Sequence, residues 1–204
     1  AFTTPSGGEP IVTDITRSKN IAWASDNSRV AFLVQIGSNV SLNVFSVDTN
    51  TRTTYETNLI IPPHSSPTWS LDGSYILFSA SEAEGVNSDI YRVSADFATI
   101  TNITNTPDLS ETSPAISPNG LLVSYKVETE SASVGDVWVM DSDGNNPRNL
   151  TNGNLLLGQL NAIHLWSPDS TRVMLNDAGQ GIAIIDVIAA EIIDFAGETP
   201  TWSP

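Results

Sequence analysis

The chain has 204 residues and a formal net charge of −15, from 8 Lys and Arg against 23 Asp and Glu. This acidity disfavours binding to nucleic acids and to anionic membrane surfaces. The absence of cysteine excludes a disulfide framework, a thiolate nucleophile and a Cys-ligated metal, and no apolar run reaches the roughly 20 residues that a membrane-spanning helix needs. The length predicts one domain with a substantial core, or one domain plus a fragment.

One short phrase, of the Trp-Ser-Pro-Asp-Gly type, recurs along the chain. Its aromatic or branched position falls at Trp23, Trp69, Ile116, Trp166 and Trp202. Repeats of roughly 40–50 residues with four short strands each are typical of β-propeller blades. We therefore predict an all-β chain, a β-propeller of four-stranded antiparallel blades.

Within each repeat, the Trp phrase forms the predicted first strand, and its Ser, Pro, Asp and Gly residues form a tight turn. Three further apolar strands follow, and no segment shows helical periodicity over about ten residues. In chain order, these strands are predicted at 29–34, 43–47 and 53–56; 75–78, 89–93 and 100–104; 121–125, 136–140 and 148–151; and 172–175, 181–185 and 191–194.

The two ends of the chain each supply part of a further repeat. Residues 1–16 match a third and a fourth strand, and residues 200–204 match only a first strand. Either the ends combine in a partial fifth blade, or the chain is an excerpt of a longer propeller, which the missing second strand favours. The predicted organisation is one propeller domain over 1–204, with complete blades at approximately 20–60, 66–106, 113–153 and 163–196 and a partial blade from 1–16 with 200–204.

These phrases also carry a family resemblance. The Trp-Ser-Pro-Asp phrase, strands such as Asp136–Met140 and the Asn-Leu-Thr phrase at Asn149–Thr151 resemble the TolB-type propeller repeat, which is also found in the propeller domains of prolyl-oligopeptidase-like and tricorn-like proteases. The resemblance departs at Ile116, where Trp is expected. It implies an exported, envelope-associated interaction domain, although unrelated functions share this architecture.

The repeated aromatic residues have a structural explanation. Because Trp23, Trp69, Trp166 and Trp202 recur at one position of the blade, we predict that they pack between neighbouring blades, with Ile116 at the same position of the third repeat. A tryptophan side chain buries roughly 150–250 Å² in such a place. These residues are therefore expected to belong to the core rather than to a ligand site.

One segment resembles a calcium loop. Asp141, Asp143 and Asn145 place side-chain oxygens at alternating positions around Gly144. An EF-hand needs further ligands downstream, and the same segment is expected to be the hairpin between the third and fourth strands. The hairpin is the favoured interpretation, and the sequence predicts no metal and no cofactor.

Candidate binding residues lie in the connections that lead into the first strands. Such connections ring one mouth of a propeller, where loops are free to carry a binding function. The leucine run is either a satellite of the core or an exposed apolar patch, which monomers seldom keep without a use. The candidates are His64, Glu111, Leu155, Leu156, Leu157 and His164.

Motifs for a serine elbow, a Walker loop, dinucleotide binding and a His-Glu-x-x-His metal site are absent, so we expect no catalytic residues and no enzyme. The leading hypothesis is a non-catalytic propeller module, periplasmic, cell-surface or secreted, that binds a protein, a peptide or a glycan. One alternative is an accessory or gating propeller of a hydrolase whose catalytic domain lies elsewhere. Another is a repeat unit of a surface layer or filament. Neither nucleic-acid binding nor membrane insertion is expected, and the sequence does not define an oligomeric state.

Overall fold

The computed structural model describes the backbone of residues 21–36, 39–55, 57–62, 65–84, 86–128, 135–153, 164–177 and 181–196. In this part of the chain every regular element is a strand, and no helix long and apolar enough to cross a membrane is found. The strands are β1 (Ile21–Trp23), β2 (Arg29–Ile36), β3 (Asn39–Ser46), β4 (Thr51–Tyr55), β5 (Thr68–Trp69), β6 (Tyr75–Ala80), β7 (Asp89–Ser94), β8 (Ile100–Asn102), β9 (Ser110–Ile116), β10 (Leu122–Glu128), β11 (Asp136–Asp141), β12 (Arg148–Asn149), β13 (His164–Trp166), β14 (Arg172–Asp177), β15 (Gly181–Asp186) and β16 (Glu191–Ala196).

The strands form four sheets of one topology, in which consecutive strands pair antiparallel in chain order. We number them blade 1 (β1–β4), blade 2 (β5–β8), blade 3 (β9–β12) and blade 4 (β13–β16). The predicted fold class, an all-β propeller with four complete four-stranded blades, is confirmed. Residues 1–16 and 200–204, which were expected to share a partial fifth blade, lie outside the described residues.

The core lies in the seams between blades. Every residue of β6 is buried: Ile76 and Phe78 belong to the core shared with blade 1, whereas Tyr75 and Leu77 belong to the core shared with blade 3. A strand covered on both faces needs such a continuous apolar run. The seam between blades 3 and 4 has its own core, formed by Val137, Val139, Leu150, Trp166, Val173, Leu175, Ala183, Ile185 and Val187.

The repeated tryptophans do not share one environment. Trp69 and Trp166 are 6% and 9% exposed and lie in the cores of the first and third seams, and Ile116 packs against the core of the second. Trp23 departs from the expectation, because it is 57% exposed. It pairs with Val30 on the face of blade 1 that points away from blade 2, and no described blade covers that face. Trp202 lies outside the described residues.

The antiparallel order assigns the connections to two opposite faces. The turn face carries the turns that join the first strand of each blade to the second and the third strand to the fourth. These turns lie at 24–28, 47–50, 70–74, 95–99, 117–121, 142–147, 167–171 and 187–190. The loop face carries the connections between blades and the loops between second and third strands. Its described residues are 57–62, 65–67, 81–84, 86–88, 103–109 and 150–153, together with the strand ends beside them.

Candidate functional site

A buried carboxyl group marks the loop face at the seam between blades 2 and 3. Glu111 lies in β9, and its backbone N–H donates to the carbonyl oxygen of Ser88 at 2.6 Å, which ties this strand to blade 2. The residue is only 2% exposed. The Thr106 hydroxyl donates to its Oε1, whereas Oε2 is buried without a hydrogen-bond partner among the described residues. Burial of an unpaired carboxylate oxygen is costly, so this atom calls for a proton or a ligand.

Asp89 is the second carboxyl group of the site. Asn102 Nδ2 donates to Asp89 Oδ2 at 2.9 Å, and the backbone N–H of Thr106 and the hydroxyl of Thr104 donate to Oδ1 at 3.1 and 3.3 Å. Thr106 therefore joins the two acids, since its N–H contacts Asp89 and its hydroxyl contacts Glu111. The strand start and the loop after β8 are held together by these bonds.

Blade 3 repeats the surroundings of Asp89 without a described counterpart of Glu111. Asp136 accepts hydrogen bonds from Asn149 Nδ2 at 2.9 Å, from the Thr151 hydroxyl and from the backbone N–H of Gly153 at 2.7 Å. Gly153 stands where blade 2 has Thr106, so this position in blade 3 has no hydroxyl. The aspartate and the Asn-x-Thr phrase are thus part of the blade's framework. Among the described residues, the pairing of such an aspartate with a second, buried acid is found in blade 2.

Burial raises the pKa of Glu111 to about 7; the hydrogen bond from Thr106 opposes this rise, and the charge of Asp89 adds to it. Burial also raises the pKa of Tyr125, and the charge of Glu111 adds to this rise. The salt bridges of the described residues, Arg29–Asp26 and Lys126–Glu128, include neither acid. The pair therefore has no basic neighbour among the described residues, and burial favours the protonated form of Glu111 up to a pH near its raised pKa of about 7.

Charge is divided unequally between the two faces. All arginines of the described residues lie in the turn-face halves of their strands. Lys126 is the basic side chain of the described loop face, and Arg17 and Lys19 lie outside the described part. The arginines are Arg29, Arg52, Arg92, Arg148 and Arg172. The acids at the loop face are Glu82, Glu84, Asp89, Asp108, Glu111, Glu128, Asp136 and Asp177. Because Lys126, which pairs with Glu128, is the one basic side chain described among these acids, the loop face is the more negative of the two.

The structure places the sequence-predicted binding residues unevenly. Glu111 lies at the loop face, as expected, but inside it rather than on its surface. His164 begins β13 at the same face, and only its backbone is described. The remaining candidates, His64 and the leucines 155–157, lie outside the described residues, so their roles stay predictions.

The calcium candidate in β11 and its turn uses its oxygens internally. Both carboxylate oxygens of Asp143 accept from Asn145, one from the backbone N–H at 3.0 Å and one from Nδ2 at 2.9 Å. Asp141 Oδ2 accepts from Asn146 Nδ2 at 2.7 Å. The backbone N–H of Gly144 closes the turn on the carbonyl of Asp141 at 2.9 Å. This geometry favours the hairpin interpretation.

Sequence reasoning missed the contact between Asp89 and Glu111. Asp89 begins β7 in blade 2, whereas Glu111 lies in β9, the first strand of blade 3, and no motif links them. The sequence does carry a signal for the two aspartates. The spacing from Asp89 to Asn102 equals that from Asp136 to Asn149, which indicates that both aspartates belong to the framework of their blades. Nowhere in the described residues, including around Asp89 and Glu111, do three or more His, Asp and Glu side chains gather as a metal site would require.

Comparison with known proteins rests on structure alone. No protein-family profile matches the chain, and no curated protein sequence matches it. TolB from Acinetobacter baumannii matches with a TM-score of 0.61 and 20% identity, over 85% of this chain and 42% of that one. Puromycin hydrolase matches with a TM-score of 0.65 and 12% identity, over 84% of this chain and 27% of that one. An oligogalacturonate lyase in complex with manganese matches with a TM-score of 0.63 and 11% identity, over 84% of this chain and 51% of that one.

The chain thus spans about half or less of the length of each of these proteins. At such identities the similarity concerns the fold, and fold alone does not define function. The resemblance of the repeat phrases to TolB-type propellers is confirmed at this level, because TolB, a hydrolase and a lyase each align over 84–85% of the chain. The chain is a β-propeller of the architecture that TolB shares with these enzymes.

Proposed function

We propose that the chain is a non-catalytic binding module whose loop face recognises a basic segment of a protein or peptide. The observation that carries this proposal is the division of charge: the acids of the loop face have little basic compensation, whereas those of the turn face have arginines beside them. A cationic partner is attracted to such a face and oriented by it before contact.

Exposed carboxylates supply the contact groups for this role. Glu82, Glu84 and Asp108 are exposed on the loops beside the seam between blades 2 and 3. The rigid sheets below hold these loops in place, as binding loops on a scaffold require. The high Ser, Thr and Asn content and the low Lys content favour an exported or envelope-associated protein, in line with the TolB-type resemblance.

Isothermal titration with a short synthetic peptide rich in Lys and Arg tests the proposal. A triple variant, Glu82→Gln, Glu84→Gln and Asp108→Asn, is compared with the turn-face triple Asp48→Asn, Asp143→Asn and Glu191→Gln, which changes the net charge equally. We expect the loop-face variant to weaken binding by roughly tenfold or more and the turn-face variant by less than about twofold. Equal losses, or no binding of the basic peptide by the unchanged protein, would overturn the proposal.

A second function has one specific observation in its favour. The propeller aligns with 27% of the chain of puromycin hydrolase, so the rest of that chain lies outside the alignment. An accessory propeller would gate or position a substrate for a catalytic domain located elsewhere. The sequence of the full gene product tests this: an adjoining catalytic domain whose activity depends on the propeller would favour the accessory role.

A further inference from the structure

We propose that the seam between blades 2 and 3 is a pH-sensitive switch, which is closed while the buried side chain of Glu111 holds a proton and loosens when that side chain ionises. The loop before β9, at 103–109, belongs to the loop face and is tied to this side chain through Thr106. The inference goes beyond the recognition of a basic segment, because it concerns how two blades are held together and requires no partner.

The first support is an oxygen atom of Glu111 that is buried without a partner. The residue is 2% exposed, its Oε1 accepts from the Thr106 hydroxyl, and its Oε2 has no hydrogen-bond partner among the described residues. An ionised oxygen at this place would lose its hydration without gaining a donor, whereas a protonated one carries no charge. The burial and the hydrogen bonds therefore favour the acid over the carboxylate in the closed seam.

The groups around Glu111 add to this preference. Asp89 begins β7 on the blade 2 side of the seam, and Thr106 contacts both acids, since its backbone N–H donates to Asp89 Oδ1 at 3.1 Å and its hydroxyl donates to Glu111. Tyr125 lies on the face of β10 that also carries Val127, the cross-strand partner of Glu111. Neither the second acid nor the phenol offers a positive charge to an ionised Glu111.

The described basic side chains on the strands that pack beside β9 are engaged elsewhere. Lys126 pairs with Glu128 on the opposite face of β10, and the guanidinium of Arg92 lies over the ring of Tyr75 towards the turn face, 3.9 Å from the ring centre. They therefore leave an ionised Glu111 uncompensated. The remaining titratable residues of these strands and the adjoining loops are Tyr91, which belongs to the core between blades 1 and 2, the exposed acids Glu82, Glu84 and Asp108, and His164, of which only the backbone is described.

Both buried side-chain polar atoms that lack a partner among the described residues belong to this seam. The second is Nε1 of Trp138, which packs against the core between blades 2 and 3. Ile116 stands here at the position where the other described seams have a buried tryptophan. The backbone N–H of Glu111 ties β9 to blade 2 through its 2.6 Å bond to the Ser88 carbonyl. Ionisation of Glu111 would therefore add an unpaired charge to a seam that already contains unsatisfied groups, beside one of the bonds that close it.

The titration of Glu111 gives the switch a defined direction. Burial raises the pKa of this carboxyl group to about 7 in the folded protein, with a further rise from the charge of Asp89, whereas its ordinary value is 4.5. Between these values the folded protein holds a proton that the unfolded chain has released. The contribution to stability is therefore fully present below about pH 4.5, falls as the pH rises and is lost above about pH 7.

Thermal melts of the unchanged protein and of Glu111→Gln between about pH 5 and about pH 8.5 test the switch without any partner. Glutamine has nearly the same shape and stays uncharged, so it imitates the protonated state at every pH. At about pH 8 we expect Glu111→Gln to melt roughly 5–10 °C above the unchanged protein, and at about pH 5 the difference should fall below roughly 2 °C.

Hydrogen exchange at the backbone N–H of Glu111, which donates to Ser88, measures the opening of the seam directly. After correction for the intrinsic exchange rate, its protection in the unchanged protein should fall at least about tenfold between about pH 5.5 and about pH 7.5. In Glu111→Gln the protection should stay constant within about twofold over the same range.

A matched control keeps the outcome specific. Glu191→Gln makes the same chemical change at an exposed acid of the turn face and should keep the pH profile of the unchanged protein. Because all of these proteins contain the same histidines, a different profile in Glu111→Gln isolates Glu111. The switch is overturned if Glu111→Gln and the unchanged protein have parallel melting profiles, or if Glu111→Gln is the less stable of the two at about pH 8.

The unchanged protein provides a test of its own if Glu111→Gln does not fold. Constant protection of the Glu111 N–H from about pH 5.5 to about pH 7.5 would then overturn the switch, and a tenfold fall would support it. No basic peptide is present in these measurements, so their failure leaves the recognition proposal to its own test.

Discussion

The indole Nε1 of Trp69 donates a 3.0 Å hydrogen bond to the backbone carbonyl of Ala22, in the first strand of the neighbouring blade. Trp166 makes the same bond to Ala115, also at 3.0 Å. In each case the acceptor residue comes directly before the repeated Trp or Ile of the preceding blade, which is Trp23 or Ile116. The repeated tryptophan thus links its own blade to the blade before it. Ile116 has no donor with which to make this bond. The seam between blades 2 and 3 relies instead on its apolar core and on other hydrogen bonds, such as those from the Glu111 N–H to Ser88 and from the Ser113 N–H to the Ser79 hydroxyl.

Substitution of Trp69 tests how much this side chain stabilises the seam between blades 1 and 2. Trp69→Ala removes a buried aromatic ring and its hydrogen bond, and the guanidinium of Arg29, 4.8 Å from the ring centre, loses its partner. We expect a loss of about 3–5 kcal/mol in the free energy of unfolding, measured by urea titration. Trp69→Phe retains most of the apolar area and should cost about 1–2 kcal/mol through the lost hydrogen bond. Equal effects of the two changes would contradict a role for the ring in packing.

Asp72 should make the stability of its turn depend on pH. Its Oδ1 accepts from the Ser70 hydroxyl at 2.7 Å and from the N–H and hydroxyl of Ser74 at 3.0 and 2.7 Å, which lower the pKa of Asp72 from 3.8 to about 2. A lowered pKa in the folded state stabilises the protein above the ordinary value, and this stabilisation is lost as pH falls through about 2. Asp72→Ala should thus lower the melting temperature at neutral pH, and the difference should shrink between about pH 4 and pH 2.

The chain supplies a matched control for this change. In the equivalent turn of blade 3, Asn119 accepts from the Ser117 hydroxyl at 2.8 Å and from the N–H of Leu121 at 3.1 Å through an uncharged oxygen. Asp72→Asn should therefore preserve the turn at neutral pH while removing its share of the pH dependence. Melting curves of the three proteins across pH test both statements; an Asp72→Asn protein as unstable at neutral pH as Asp72→Ala would contradict them.

Two glycines with positive φ should differ in their tolerance of a methyl group. A Cβ on Gly144, at φ +96°, would lie 2.8 Å from the carbonyl oxygen of Ile103 in the neighbouring blade, whereas a Cβ on Gly153, at φ +70°, would meet nothing within 4 Å. Gly153→Ala should cost only the backbone strain, about 1–2 kcal/mol. Gly144→Ala should cost about 2–4 kcal/mol, because blade 2 must also shift. Chemical unfolding of both variants gives the comparison, and a smaller loss for Gly144→Ala would refute it.

A carboxylate placed beside Asp136 should destabilise blade 3 in a pH-dependent way. Asn149 Nδ2 lies 2.9 Å from Asp136 Oδ2, so Asn149→Asp replaces a hydrogen bond with repulsion, at a cost of about 1–3 kcal/mol at neutral pH. The new acid pair has a raised pKa in the folded state, so the lost stability returns as pH falls. Asn149→Ala removes the hydrogen bond without adding charge and should show a weaker pH dependence, because it loses only the share of the lowered Asp136 pKa that this bond provides. Parallel pH profiles of the two variants would show that no such pair forms.

The blades could be predicted from the sequence because the strands and turns of each repeat are determined by residues close together in the chain. Asp72 with Ser70 and Ser74, and Asn119 with Ser117, are turn signals that act over a few residues. The topology then follows from antiparallel neighbours in chain order. Such short-range information survives even where the repeated aromatic is replaced, as at Ile116.

The carboxyl pair could not be predicted in the same way. Asp89 and Glu111 meet only because the strand that follows the loop joins the next blade, and neither belongs to a motif that names the other. The burial of Glu111 is a property of two blades together, which a surface-loop interpretation of its sequence position does not anticipate. Exposure of Trp23 likewise depends on what covers one face of blade 1, and no local pattern encodes that.

In the described part of the chain, the placement of arginines at one face creates an electric dipole across the thickness of the propeller. Arg29, Arg92 and Arg172 lie in the turn-face halves of their strands, opposite Glu82, Glu84 and Asp108. Near a cationic resin, polymer or bilayer, the protein would rotate before contact and would adsorb with its loop face towards the cationic surface. Immobilisation chemistry that relies on surface charge would therefore present one side of the protein and hide the other.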